Sequence, residues 1–217
     1  MHNRYDIVVF DVDGTLLDTT EGVIKSVEKT IQTSGLHELT ISELLTFIGP
    51  PIHDSFKRVY GLEGDILQEL ADKFRTYYKD EFLYDAKPYD GIYETMDTLL
   101  QKGIKIAIAT YKRQDYAVSI LKRFGFDKYT EVMYGADFYN KLKKVDIIKK
   151  CMVELNEDCY DRALMIGDSS HDAIGAELIG MPFLGVTYGF DFKTGKDVQK
   201  YKSVGSAEKP IDILKYV

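Results

Sequence analysis

The sequence predicts an α/β domain with a parallel sheet and an all-helical segment inserted after the first strand. Short, almost continuously apolar runs alternate with longer amphipathic runs, as is typical of strands covered by helices on both faces. Strands are predicted at 7–10, 104–109, 131–134, 163–166 and 183–186. Residues 11–103, between the first two runs, show no convincing strand pattern. The predicted architecture is a Rossmann-like, doubly wound core that carries a helical insert.

Apolar residues spaced three and four apart predict the helices. The stripes of the core are Ile92, Met96, Leu99 and Leu100; Ala117, Ile120, Leu121 and Phe124; and Val145, Ile148, Met152 and Leu155. Those of the insert are Val23, Val27 and Ile31; Ile41, Leu44, Leu45 and Ile48; and Ile66, Leu70 and Phe74. A compact domain does not tolerate a structureless connection of this length, so the insert is predicted to form its own bundle. We assign residues 1–16 and 89–217 to the core and 17–88 to a helical cap beside the carboxyl ends of the strands.

Composition excludes several classes of partner. The chain has 217 residues, 45% of them hydrophobic, and a net charge of -7, which argues against broad attraction to nucleic acid or to anionic membranes. No apolar run approaches the length that spans a bilayer. The spacing of Cys151 and Cys159 fits neither a zinc knuckle nor a redox pair, which indicates a reducing compartment. We therefore expect a cytoplasmic protein that binds neither nucleic acid nor membranes, as a monomer or weak homodimer.

Four aspartates follow two of the predicted strands. Asp11 and Asp13 leave the first strand in "VVFDVDGTLLDT", and Asp168 and Asp172 follow the strand at 163–166 in "MIGDSSHD". In a doubly wound sheet, ligands bind in the crevice at the carboxyl ends of the strands, so both pairs are predicted to face one crevice. Clustered carboxylates repel one another and require a cation or raised pKa values. Carboxylate oxygens without neighbouring His or Cys ligands favour Mg²⁺.

Simpler roles exist for each pair. Asp13-Gly14 fits an ordinary turn, although a turn does not explain the second acid at Asp11. Asp172 could cap a helix that starts after Asp168.

The motifs resemble those of the haloacid dehalogenase-like hydrolases. "DVDGTLLDT" is similar to the first signature in the form typical of their phosphatases, "IAIAT" to the second, and "MIGDSSHD" to the fourth, in matching order along nearly the whole chain. "IGPPIHDSFKRVYGL" and "GDSSHDAIGAELIGM" look similar to the phosphoglycolate phosphatase-like branch, which includes 5'-nucleotidase-like members. The resemblance implies the fold predicted above, with the insert as cap.

The resemblance implies a role for each acid. Asp11 would attack phosphorus and form an aspartyl-phosphate, and Asp13 would protonate the leaving oxygen and later activate water. The metal ligands would be Asp11, Asp168 and Asp13, the last through its carbonyl. Asp172 would orient Lys144 or a metal-bound water. His171 is not expected as a ligand, because Mg²⁺ prefers oxygen donors.

Other residues are expected to hold the phosphoryl group. Thr110 ends the second apolar run, where its hydroxyl and the following N–H groups can bind phosphoryl oxygens. The usual Lys-Pro signature is missing, but "KVDII" resembles the form of the phosphoglycolate phosphatase-like branch and indicates Lys144, with Lys143 and Lys141 as alternates. Gly14, Thr15 and Ser169 are expected to contribute backbone or hydroxyl contacts.

Substrate selection is expected to depend on the cap and on the segment after the second signature. Gly49 and Pro50 form a predicted cap loop over the site. Tyr111 and Lys112 could contact substrate, with Lys112 favouring a second anionic group, although both could equally be surface residues.

The sequence favours a Mg²⁺-dependent phosphatase that acts on a small phosphorylated metabolite of the phosphoglycolate or nucleoside monophosphate type. A phosphomutase of the same superfamily is one alternative. A noncatalytic, receiver-like phosphate-binding protein is another, which the insert and the D-x-D spacing disfavour.

Overall fold

The computed structural model describes residues 3–138 and 141–217. The chain divides into two compact units: Met1–Asp18 together with Pro88–Val217 form unit 1, and Thr19–Lys87 form unit 2. Unit 1 is therefore built from two separate stretches of the chain, and unit 2 is an insertion between its first and second long strands. A cap function for unit 2 stays a prediction.

Unit 1 is a parallel α/β sheet, as predicted. Its six strands lie in the order β5-β4-β1-β6-β7-β8. They are β1 (Ile7–Phe10), β4 (Lys105–Arg113), β5 (Met133–Ala136), β6 (Ala163–Gly167), β7 (Phe183–Val186) and β8 (Gly205–Ala207). The short strands β2 (Leu17–Asp18) and β3 (Lys87–Pro88) lie where the chain leaves and re-enters unit 1. The chain adds strands first on one side of β1 and then on the other, which makes β1 the topological switch point.

The first strand, β1, is the buried centre of the sheet. All four of its residues are buried, and it pairs in parallel with both β4 and β6. Side chains alternate between the faces of a strand, so Ile7 and Val9 share one face. Both belong to a hydrophobic cluster that includes Ile148 and Met152 of one helix and Ala173 of the next.

Within the described residues of unit 1, five helices accompany the sheet. They are α5 (Ile92–Gln101), α6 (Gln114–Arg123), α7 (Lys144–Glu154), α8 (Ser170–Glu177) and α9 (Gly195–Val198), with 3-10 turns at Phe126–Lys128, Tyr160–Arg162 and Pro210–Lys215. The predicted stripes are largely correct, but Leu100 is exposed, and Phe124 and Leu155 follow the last residues of their helices. Among the described residues, no helix combines the length and apolarity that a membrane crossing requires.

Unit 2 is helical, in agreement with its sequence pattern. It contains α1 (Thr20–Thr33), α2 (Ile41–Leu45), α3 (Ile52–Tyr60), α4 (Gly64–Tyr77) and a π-helical turn (Tyr78–Phe82). Thr40 and Glu43 form a capping box that starts α2, and Gly61 ends α3 in the left-handed conformation. Its core includes Val27, Leu44, Phe56, Leu70 and Phe74. Ile48 lies beyond the end of α2, so the predicted helix there is too long. The predicted apolar stripes are also only partly correct, because Ile41, Leu45 and Ile66 are exposed.

Several strands differ from their predictions. β5 spans Met133–Ala136 instead of 131–134, and the short strands β2 and β3 lie in the segment that was predicted to contain no strand. β4 continues to Arg113 instead of ending before Thr110. β8 has no counterpart in the prediction, because "GSA" lacks the β-branched and aromatic residues that mark a strand. It forms because its backbone pairs with β7 at the sheet edge.

Candidate active site

Three buried polar residues converge at the carboxyl ends of the central strands. Asp11 follows β1 directly, and its N–H donates to the carbonyl of Ile166 in β6 at 2.9 Å. Asp168 follows β6, and Thr110 lies in β4 on the other side of β1. Each of these polar side chains is buried. Parallel pairing therefore places Asp11 between Thr110 and Asp168.

Lys144 joins two of the acids. Its Nζ lies 2.7 Å from Oδ1 of Asp11 and 2.6 Å from Oδ1 of Asp172. Burial alone lowers the pKa of Lys144, but the two carboxylates outweigh burial and raise it above the ordinary lysine value. The lysine therefore stays protonated at neutral pH. The alternates Lys141 and Lys143 are exposed.

The start of α7 places Lys144 in this position. Lys144 is the first residue of the helix, and the side chain of Asp146 accepts the N–H of Lys143 at 2.9 Å just before it. On the facing helix α8, a Cβ at Gly175 would lie 3.0 Å from the Cβ of Lys144. A glycine in α8 thus leaves room for the lysine stem.

The start of α8 fixes Asp172. Its Oδ2 accepts hydrogen bonds from the hydroxyl of Ser169 at 2.7 Å and from the Ser169 N–H at 3.2 Å. A side chain at Gly167 would overlap the Asp172 carboxylate. Asp172 therefore caps its helix and also pairs with Lys144, so the two roles weighed for it are compatible.

When all three are ionised, the acids Asp11, Asp168 and Asp172 carry more negative charge than the lysine neutralises. Oxygen atoms of Asp11, Asp168 and Asp172 lie within 4.8 Å of one another. Burial raises the pKa of Asp11 to about 7 despite the opposing effect of Lys144. Burial likewise raises the pKa of Asp168 well above its ordinary value, with added repulsion from Asp172 and Asp11. Three carboxylates beside one ammonium leave a formal excess of two negative charges.

A divalent cation fits this arrangement. The donors are all carboxylate oxygens, which hard cations such as Mg²⁺ prefer. The charge of a divalent cation also equals the formal excess of two negative charges. Asp11 and Asp168 would hold such an ion, because Asp172 is engaged with both Lys144 and Ser169.

Asp13 forms a separate ion pair. Its Oδ1 lies 3.0 Å from Nζ of Lys112, whose side chain is almost fully buried. The N–H of Lys112 also donates to the hydroxyl oxygen of Thr110 at 3.1 Å. This leaves the Thr110 proton available for donation to an anion. Lys112, for which the sequence left a substrate contact and a surface position open, thus connects two other predicted site residues.

Tyr111 makes a contact that the sequence does not predict. Its hydroxyl oxygen accepts the backbone N–H of Lys144 at 2.9 Å, and its ring lies edge-on to His171 with ring centroids 5.2 Å apart. The hydroxyl therefore supports the first residue of α7. A substrate contact from the half-exposed ring stays a prediction.

We expect Tyr111→Phe to lower the free energy of unfolding by about 1 kcal/mol, because the N–H of Lys144 loses its acceptor. Urea unfolding measures this change. Tyr93→Phe is the matched control. Tyr93 is also half-exposed, and its hydroxyl donates to the carbonyl of Phe124, so this variant measures what the loss of a tyrosine hydroxyl costs at a position outside the site. A higher KM with unchanged stability would instead make the Tyr111 hydroxyl a substrate contact.

The remaining predicted residues lie in different places. Gly14 adopts a positive φ of 77° directly against Asp168, where a Cβ would overlap the carboxylate. Thr15 is fully buried, and its carbonyl accepts the hydroxyl of Tyr188 at 3.1 Å. Gly49 and Pro50 lie in unit 2 between α2 and α3, and their role toward substrate stays a prediction.

Sequence reasoning missed the loop after β7. The N–H groups of Phe190 and Asp191 donate to Oδ2 of Asp168 at 2.5 and 3.4 Å. These contacts come from backbone N–H groups, so the sequence of the loop contains no motif of charged residues that would indicate them. The glycine in "TYGF" after a predicted strand was the available signal.

Comparison with known proteins agrees with this geometry. The family model described as haloacid dehalogenase-like hydrolase matches residues 8–186, from β1 through β7. The chain belongs to the haloacid dehalogenase-like hydrolase family. This confirms the resemblance predicted from the motifs, and the parallel sheet with its helical insert confirms the predicted fold class.

Similar proteins carry the names of a 5'-nucleotidase and of phosphatases. A 5'-nucleotidase from Pseudomonas aeruginosa is 32% identical over 86% of this chain and 85% of its own length. A phosphoglycolate phosphatase from Agrobacterium fabrum is also 32% identical, over 85% of this chain and 81% of its own. The crystal structure of a predicted phosphatase from Clostridium acetobutylicum matches with a TM-score of 0.87 and 32% identity, covering 97% of each chain. The predicted enzyme class, a phosphatase, is therefore confirmed.

Proposed function

We propose that the protein is a Mg²⁺-dependent phosphomonoester phosphatase that acts through an aspartyl-phosphate on Asp11. The observation that carries this proposal is the charge arrangement around Asp11. Its carboxylate is paired with Lys144 and lies within 4.8 Å of the other acids of the cluster. Two cations on one nucleophilic carboxylate, the lysine and a bound metal, would let a phosphate dianion approach it.

The first chemical step belongs to Asp11 and Asp13. An oxygen of Asp11 attacks phosphorus, the bond from phosphorus to the ester oxygen breaks, and the leaving alkoxide takes a proton from Asp13. Water then gives a proton to the Asp13 carboxylate and attacks the same phosphorus. The bond from phosphorus to Asp11 breaks, which releases inorganic phosphate and restores the free carboxylate.

The other residues position and neutralise the phosphoryl group. Thr110 donates its hydroxyl proton to a phosphoryl oxygen, and Lys144 acts as a fixed point charge between Asp11 and the phosphate. Asp172 holds Lys144 in place. Mg²⁺ bound by Asp11, Asp168 and the carbonyl of Asp13 would supply charge neutralisation for the phosphoryl oxygens.

The proposed substrate is a small phosphorylated metabolite. The two relatives above carry names for a nucleotide and for phosphoglycolate, so their names support two substrate types. Lys112 favours a substrate with a second anionic group that could replace Asp13 as its partner. A panel of phosphoglycolate, nucleoside monophosphates, sugar phosphates and pyrophosphate, ranked by kcat/KM, distinguishes these types. Recovery of an isomeric sugar phosphate in place of free phosphate would identify a mutase.

Metal removal tests the proposed cofactor. We expect purified protein to release phosphate from a generic aryl phosphate with Mg²⁺, to lose this activity after EDTA treatment and dialysis, and to regain it when MgCl₂ is added. The reason is the excess negative charge around Asp11, which would repel the substrate without a cation. CaCl₂ added at the same ionic strength controls for a general salt effect. Full turnover by metal-stripped protein would overturn the Mg²⁺ dependence.

A further inference from the structure

The backbone of the loop after β7 surrounds Asp168. The N–H groups of Phe190 and Asp191 donate to its Oδ2 at 2.5 and 3.4 Å, and the N–H of Phe192 donates to its main-chain carbonyl at 2.9 Å. Three consecutive N–H groups are thus directed at one residue. A surface loop without a role toward Asp168 would direct these groups to water or to its own turn.

Contacts at both ends of the loop hold this backbone in place. The ring of Phe192 is buried and packs against Phe183 and Tyr201, with centroid distances of 6.3 and 5.5 Å. At the other end, the hydroxyl of Tyr188 donates to the carbonyl of Thr15 at 3.1 Å. The loop is therefore anchored in the core and to the segment that follows Asp13.

Glycine is required for the close fit. A Cβ at Gly189 would overlap the carbonyl of Gly14 and the side chain of Asp168. Its carbonyl accepts a hydrogen bond from Nζ of Lys193 at 2.7 Å, which fixes the peptide on the other side. Gly14 and Gly189 thus enclose the Asp168 carboxylate between two stretches of backbone.

This enclosure fixes the direction of one carboxylate oxygen. Within the described part of the chain, the hydrogen bonds to the Asp168 carboxylate all end on Oδ2. Oδ1 therefore points in a defined direction without competing donors. A ligand oriented in advance binds a metal more tightly than a freely rotating one, because less conformational freedom is lost on binding.

We propose that residues 188–192 are the positioning element for Asp168, and that they strengthen the binding of a divalent cation without touching substrate. The proposal rests on the proposed function, since it assumes that Asp168 is a metal ligand. It assigns Gly189 and Tyr188 as positioning residues.

Gly189→Ala tests the close fit. We expect the Kd for Mg²⁺, measured by NMR titration with MgCl₂ in the absence of substrate, to rise about tenfold or more, as is typical when a group that orients a metal ligand is removed. The MgCl₂ concentration for half-maximal aryl phosphate hydrolysis should rise by the same factor, with kcat recovered at saturating MgCl₂. A general structural defect would lower kcat at every MgCl₂ concentration.

Tyr188→Phe keeps the proposal testable if the alanine variant does not fold. It removes the hydroxyl that anchors the loop and retains the ring, so a several-fold rise in the Kd for Mg²⁺ is expected. Tyr216→Phe is the matched control, because the Tyr216 hydroxyl donates to the carbonyl of Ser206 at 3.0 Å, away from Asp168. The control should bind Mg²⁺ as the unmodified protein does.

The outcomes separate this proposal from the proposed function. An unmodified protein that is active with Mg²⁺, together with a Tyr188→Phe variant of unchanged Kd, overturns the positioning role alone. An unmodified protein that neither binds Mg²⁺ nor hydrolyses the aryl phosphate overturns both.

Discussion

Asp11→Asn is expected to abolish hydrolysis of an aryl phosphate, lowering kcat by about 10⁴-fold or more, as is typical for the loss of a catalytic nucleophile. The amide has the shape of the carboxylate but does not attack phosphorus at a useful rate. Phosphate release with saturating MgCl₂ measures the effect, and circular dichroism with urea unfolding checks the fold. Turnover within tenfold of the unmodified rate would remove Asp11 from the nucleophile role.

Asp6→Asn is the matched control for this substitution. Asp6 lies just before β1, at the amino end of the same strand, and pairs with Arg162 in an exposed ion pair of 2.7 Å. Loss of such a pair costs about 0–1 kcal/mol, so activity should be unchanged. If Asp11→Asn loses activity and Asp6→Asn does not, the loss reflects the position of Asp11 at the carboxyl end of β1.

Asp13→Asn provides direct access to the intermediate. An aryl phosphate has a good leaving group, so Asp11 can attack without an acid, whereas the second step needs Asp13 to activate water. We expect acid-quenched Asp13→Asn protein to carry one phosphoryl group by mass spectrometry, located on the peptide that contains Asp11. A phosphoryl group on another residue, or none during turnover, would contradict the aspartyl-phosphate.

The sequence predicts the strand-end acids because parallel topology makes their positions inevitable. β1 and β6 are recognisable as buried apolar runs, and Asp11 and Asp168 follow them directly. Neighbouring parallel strands end at the same edge of the sheet, so two acids far apart in sequence meet there. No detail of side-chain packing is needed for that step.

The choice of lysine shows where the pattern alone is insufficient. "NKLKKVDII" offers three lysines, and only the resemblance to a family signature favours Lys144. The structure separates them through the first turn of α7, which directs Lys144 inward while Lys141 and Lys143 stay exposed. Apolar periodicity does not fix the first residue of a helix to better than one or two positions, so it could not select among the three lysines.

The backbone around Asp168 could not be predicted for a different reason. N–H groups are common to every residue except proline, so Phe190 and Asp191 show no distinctive side chain for their contact. Likewise, the pairing of Lys112 with Asp13 depends on β4 continuing past Thr110, which the apolar run did not indicate.

The Lys144→Met variant is expected to lose both stability and activity. Methionine fills a similar volume, but it leaves Asp11 and Asp172 buried without their ammonium partner. Removal of one partner from a buried ion pair typically costs about 3–5 kcal/mol, so the urea midpoint should fall strongly. The aryl phosphatase activity should fall as well, because the negative charge that faces the phosphate increases.

An exposed pair in the same unit calibrates this effect. Lys105 and Glu157 lie 2.8 Å apart, nearly the same separation as Lys144 and Asp11, but both side chains are partly exposed. Lys105→Met should therefore cost only about 0–1 kcal/mol, because water solvates the remaining carboxylate. If the two variants unfold at the same urea concentration, burial does not strengthen the Lys144 pair. A much lower urea midpoint for Lys144→Met than for Lys105→Met would show that the buried carboxylate of Asp11 depends on the ammonium beside it. The same burial raises the pKa of Asp11.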